Sequence, residues 1–204
     1  MKFLKNFSSQ IIAPIILSFV IFSCAKSDDS STSSKNTTVY ATSCINDTTD
    51  NDSVKKYVTF SGNSYESRRE YYDSLNCIDK AYIWADNYVY QEEGYKSTYS
   101  GEKTIKVDLT YSSKKLTPKN TKAVQWYNQN EYCGYTDWFA DEEKDLTGLS
   151  CGSSTFYNAG KKLITNWYIY SDDQFFKFGD YSDSASKDSD GYANYLQNTV
   201  YQKQ

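Results

Sequence analysis

From residue 57 onward, short aromatic and β-branched runs alternate with turn residues, a pattern that predicts strands. The clearest case is Thr104 to Ser112, where Ile105, Val107, Leu109 and Tyr111 alternate with Thr104, Lys106, Asp108 and Thr110, giving one apolar and one polar face. Ala81 to Gln91 places Tyr82, Trp84, Tyr88 and Tyr90 on one parity and Ile83, Ala85 and Val89 on the other, so both faces are expected to be partly covered, and the strand could line a cavity. Two hairpins are expected: Tyr57 to Ser61 turning through Gly62-Asn63 into Ser64 to Tyr72, and Lys162 to Tyr170 turning through Ser171-Asp172-Asp173 into Gln174 to Phe178. Strands are also expected at Thr121 to Tyr127 and at Ser154 to Tyr157, the latter turning at Asn158-Ala159-Gly160. The total of about eight is the number that closes a small antiparallel barrel. Residues 180–191, DYSDSASKDSDG, are expected to form a loop. Beyond it, the spacing of Tyr192, Tyr195, Leu196, Thr199 and Val200 permits either a short C-terminal helix packed on the barrel or a final strand.

The first residues follow a different pattern. Lys2 and Lys5 precede an apolar run from Ile11 to Phe22, which is interrupted by Pro14 and Ser18 and is too short to span a bilayer. The run ends in Ile21-Phe22-Ser23-Cys24, which resembles the lipobox of bacterial lipoproteins. Residues 1–23 are therefore expected to be a lipoprotein signal peptide and Cys24 the lipid anchor; the other reading is an ordinary secretory signal with an incidental cysteine. Residues 24–39 are Ser/Thr-rich and polar, and are expected to form a disordered tether, leaving 40–204 as one domain. The expected location is therefore the bacterial cell envelope, as a membrane-anchored lipoprotein of the outer membrane or cell surface. Four further cysteines, Cys44, Cys77, Cys133 and Cys151, then predict two disulfides. Four cysteines allow three pairings; Cys44 with Cys77 and Cys133 with Cys151 is favoured, because each pair brackets neighbouring segments.

Phe60, Asn63, Tyr65, the run Tyr71-Tyr72-Asp73 with Cys77 beyond it, and the aromatic strand from Tyr82 together resemble the membrane-attached lipocalin-like family known as the adenomatosis polyposis coli down-regulated domain. The likeness covers roughly residues 57–90. Phe176-Lys177-Phe178-Gly179-Asp180, with Leu196 and Tyr201, is similar to the closing strands of small bacterial lipocalin-like domains. The resemblance implies a lipocalin-like antiparallel β-barrel with a cavity for an acyl chain or another apolar molecule, and Tyr72, Asp73 and Cys77 as structural corner residues.

Composition narrows the chemistry. With 22 basic and 26 acidic residues the net charge is −4, which gives no electrostatic footprint for nucleic acid. The absence of histidine removes Ser-His-Asp and Cys-His mechanisms, no Walker or dinucleotide glycine loop is present, and no cofactor is expected. Asp141-Glu142-Glu143 reads as a solvated acidic loop, because adjacent carboxylates cannot oppose each other across a cleft. Asp180, Asp183, Asp188 and Asp190 before Gly191 suggest a calcium loop, but the ligand register fails and a flexible acidic loop is the better reading. With 21 Tyr, 10 Phe and 4 Trp against a mean hydropathy of −0.73, aromatic rings must supply much of the buried surface. Tyr82, Trp84, Tyr88, Trp126 and Trp167 are the candidate ligand wall if they converge; otherwise they fill the core. The sequence thus predicts a non-catalytic envelope lipoprotein that binds or carries a small apolar or acyl ligand. Its alternative is an interaction or structural surface lipoprotein, with a filled barrel, that contacts an envelope protein or polymer.

Overall fold

The longest alternating segments of the chain form its longest strands. The computed structural model describes residues 37–204; the expected signal peptide, Cys24 and the tether up to residue 36 lie outside the described residues. Chain order begins with β1 (Thr37–Ala41), β2 (Ile45–Asp47), β3 (Asp52–Ser61), β4 (Ser64–Tyr72), β5 (Lys80–Ser97) and β6 (Lys103–Pro118). There follow a helix, α1 (Thr121–Gln129), and three two-residue strands, β7 (Lys144–Asp145), β8 (Ser150–Cys151) and β9 (Ser154–Thr155). The chain finishes with β10 (Lys162–Tyr170), β11 (Phe175–Phe178) and β12 (Tyr201–Lys203). The domain therefore begins at least at Thr37, inside the stretch read as tether, because Thr37 to Ala41 pair in register with Ser61 to Tyr57 of β3.

Eight strands pair antiparallel in a closed ring: β3, β4, β5, β6, β10, β11, β12, β1 and back to β3. Six of the eight expected strands take part, and two expectations are corrected. Thr121 to Tyr127 is helical, since Pro118 ends β6 and the Asn120 side chain caps the next turn by accepting from the Ala123 N–H at 2.8 Å. The apolar spacing that reads as alternation, Ala123 and Tyr127, is also the i, i+4 pair that a helix buries. Ser154 to Tyr157 contributes only β9, paired with β8 outside the ring. Their places are taken by β1 and β12, too short to show a period. The C-terminal helix is also corrected. Residues 180–200 run as an irregular strap, with backbone bonds such as Asp180 N to Tyr195 O and Asn194 N to Ser186 O reaching across it.

Two bulges set what β5 and β6 present inside the ring. Pairing steps from Asn87 with Ser113 to Tyr88 with Tyr111, leaving Ser112 extra. As a result β6 buries Val107, Leu109 and Tyr111 on one parity and Lys114, Leu116 and Pro118 on the other. Near the hairpin tip the register slips again between Glu92 and Gly94, where Gly94 takes φ 106°, a conformation that suits glycine.

Aromatic rings fill one part of the interior: Trp167, 1% exposed, meets Phe60 and Tyr90 with ring centres 5.0 Å away and Tyr65 at 5.6 Å. Tyr40, Val58, Val107, Leu109, Phe176 and Tyr201 complete that core. A second core of Leu116, Ala123, Tyr127, Trp138 and Leu146 lies where α1 and residues 131–156 pack on the ends of β5 and β6. On the same inward face, Asp86 accepts from Lys114 Nζ at 2.8 Å and from Arg69 at 2.9 Å. Two disulfides join Cys44 to Cys77 and Cys133 to Cys151.

Candidate functional site

A cavity of about 420 Å³ opens beneath α1 and is lined by Asp73, Ala81, Tyr82, Trp84, Lys122, Ala123, Trp126, Tyr127 and Tyr132. That volume falls within the about 300–1,000 Å³ of ordinary small-molecule sites. Three elements build it. β5 supplies Tyr82 and Trp84 from one parity, α1 supplies Ala123, Trp126 and Tyr127, and the turn after α1 supplies Tyr132.

Asn120 locks these parts together. Its carbonyl oxygen caps α1, while its Nδ2 donates to Asp73 Oδ2 at 3.1 Å, tying the helix start to the corner after β4. The other Asp73 oxygen faces Lys122 Nζ at 3.1 Å, so the rim carries an ion pair. The corner itself is held by the Cys44–Cys77 bond and by Ser53 Oγ, which accepts from Cys77 N at 3.0 Å. Tyr72 donates to Glu70 at 2.7 Å and does not line the cavity.

The aromatic walls brace one another. Tyr82 stacks on Tyr71 at 4.7 Å and meets Tyr127 edge-on at 6.0 Å; Trp126 touches Tyr127 and Tyr132 at 5.2 and 5.8 Å. Lys114 Nζ lies 4.7 Å from the Trp84 ring centre, a cation–π contact at the edge of the buried charge cluster. Burial lowers the Lys114 pKa although Asp86 opposes the shift. Burial pushes the Tyr82 hydroxyl up to about 12 and raises those of Tyr127 and Tyr132, so all three stay protonated near neutrality and can act as hydrogen-bond donors.

Of the five aromatic residues expected to form a ligand wall, Tyr82, Trp84 and Trp126 converge on this cavity. Tyr88 and Trp167 do not. Tyr88 packs between Tyr65 and Tyr111 at 5.2 and 5.3 Å, and Trp167 sits in the filled core of the ring. Trp167 also borders a smaller cleft of about 180 Å³ with Tyr40, Glu92 and Lys203. Sequence reasoning missed Tyr127, Tyr132 and Asp73 as cavity residues; the signal for Tyr127 was its i, i+4 spacing from Ala123.

The acidic runs are spent on lysines. Asp141, Glu142 and Glu143 pair with Lys119, Lys144 and Lys115. Asp188 accepts from Lys96 Nζ at 2.7 Å, and Asp190 pairs with Lys106. Among the described residues no group of three or more His, Cys, Asp or Glu side chains is placed to hold a metal ion, and no helix is long and apolar enough to cross a membrane. The chain matches no protein-family model and no curated protein sequence.

Proposed function

We propose that this chain is a non-catalytic lipoprotein of the bacterial envelope, anchored through Cys24, whose β-ring is a lipocalin-like barrel that binds a small ligand in the aromatic cavity beneath α1. The observation that carries this reading is the convergence of Trp84, Trp126, Tyr82, Tyr127 and Tyr132 on one open space of about 420 Å³. A carrier of the simplest kind would hold its ligand along the ring axis. Here that space is occupied by Trp167, Phe60, Tyr65 and Phe176, which moves the proposed site to the α1 end. Chemistry is not part of the proposal: the cavity's tyrosines stay protonated, and its one carboxylate is engaged by Asn120 and Lys122.

Native mass spectrometry of protein extracted from its own envelope tests the binding. A small-molecule mass increment is expected on the intact chain and should vanish in Trp126→Ala; an increment that survives this substitution, or none in either protein, counts against the site. Labelled palmitate incorporation that persists in Cys24→Ala would remove the anchor from the proposal.

One observation favours the interaction reading as well. Tyr95, Tyr99 and Tyr195 are exposed by 62%, 68% and 45%, with Tyr99 and Tyr195 in edge contact at 5.3 Å near the β5–β6 tip. Tyrosines of this kind suit contact with a protein or an envelope polymer.

A further inference from the structure

The cavity beneath α1 has an unusual mixture of wall groups. Its apolar surface comes from two tryptophans, three tyrosines and two alanines; no Leu, Ile, Val, Met or Phe lines it among the described residues. A hydrocarbon chain gains nothing from phenol hydroxyls, yet those of Tyr82, Tyr127 and Tyr132 line the cavity and make no side-chain hydrogen bond to the described residues. Tyr127 is the telling case. Its ring is buried, with the residue only 5% exposed, while its hydroxyl makes no hydrogen bond to the described residues and stays open to the cavity, where a ligand can reach it. At the rim, Asp73 and Lys122 neutralise each other at 3.1 Å, so the site offers a carboxylate and an ammonium without net charge.

We propose that this cavity takes a pyranose sugar, whose apolar C–H face stacks on Trp126 or Trp84 and whose hydroxyls bond with the Tyr82, Tyr127 and Tyr132 phenols and the Asp73–Lys122 pair. The proposal rests on the cavity being the binding site and names the ligand's class. A sugar ring is apolar on its faces and polar around its edge, which matches walls of aromatic planes interspersed with unpaired hydroxyls. An acyl chain would leave the three phenols desolvated and unpaired, and an anion would meet a neutral rim. Trp126 is 51% exposed at the mouth, so the cavity is open enough for either a free monosaccharide or one unit of a longer glycan.

Tryptophan emission of the purified chain, titrated with glucose, galactose, mannose and N-acetylglucosamine, with their tetra- to hexasaccharides, and in parallel with dodecanoate, tests the inference. Saturable binding of at least one sugar is expected. It should weaken about tenfold in Trp126→Ala, which removes the stacking face, and several-fold in Tyr127→Phe, which keeps the ring and deletes only the hydroxyl. Tighter binding of the oligosaccharide than of its monomer would assign the site to a glycan chain, and equal binding to the free sugar. Dodecanoate binding that is lost in Trp126→Ala, with no response to any sugar, overturns the sugar assignment and leaves the cavity as a ligand site. No response to any probe, or sugar binding indifferent to both substitutions, overturns the sugar assignment and the site together.

Discussion

Asp86 is a conspicuous single residue in the fold, because its carboxylate is shared by Lys114 and Arg69 on the inward face of the ring. Removing it would leave two cations facing each other in a site where Lys114 is only 9% exposed. Asp86→Ala is therefore expected to destabilise the protein by about 3 kcal/mol, read from the urea midpoint at an unchanged slope. Trp138 is wholly buried, and its backbone is clasped by the Asn128 side chain at 2.7 and 3.0 Å. Trp138→Ala should cost about 3–5 kcal/mol by the same measurement. The two residues differ in how legible they were. A large apolar ring such as Trp138 is buried more often than not, whereas a buried aspartate and lysine run against the usual exposure of charged side chains, and only the bulge at Ser112 turns Lys114 inward. The candidate site divides in the same way: Tyr82 and Trp84 were legible from strand parity, while Asp73 and Tyr132 reach the cavity from loops whose paths no periodicity encodes.

Among the elements, α1 is the one that shapes the cavity, and a single side chain starts it. Asn120→Ala deletes both the cap to Ala123 and the link to Asp73, so a loss of about 1 kcal/mol is expected, with faster amide exchange confined to α1 and the corner after β4. The excursion from residue 131 to 156 has little regular structure and is pinned by Cys133–Cys151, across a sequence separation of 18. Replacing both cysteines by alanine should cost about 3 kcal/mol and make this excursion the first site of proteolytic cleavage, mapped by mass spectrometry of the fragments. The pairing of the cysteines agrees with the neighbouring-segment reading, since each bond ties stretches close in sequence. The strand assigned to residues 121–127 failed because seven residues with apolar positions at 123 and 127 satisfy two periods at once. The Asn cap and the preceding Pro118 decide for helix.

For the molecule as a whole, closure depends on short strands. β1 bridges β3 and β12, and Gln204 N adds a further bond to Val39 O at 2.9 Å. The alkaline limit is set by the tyrosines. Tyr82, Tyr181 and Tyr201 are each raised from 10.0 to about 12, chiefly by burial. Because the folded values exceed the unfolded one, this contribution to stability is fully present below about pH 10 and is lost as pH climbs through about 12. Tyrosinate absorbance should accordingly rise in two stages, exposed rings first and buried rings together with the loss of far-ultraviolet circular dichroism; a single early stage would contradict the burial of these phenols.

Local alternation by itself determined that the chain is mainly antiparallel β-sheet, where the β3–β4 and β10–β11 hairpins turn and which face of residues 104–111 is apolar, because side-chain direction in an unbulged strand follows from sequence parity. Tertiary structure decided what those faces enclose. Whether Trp167 fills a core or lines a cavity depends on which rings arrive from strands distant in the chain. The entry of β1 and β12 into the ring likewise depends on partners, since strands of five and three residues carry too few positions to declare a period. The cavity beneath α1 exists because a cap, a corner and a strand meet, and such a meeting is a property of the folded chain that no single stretch of it contains.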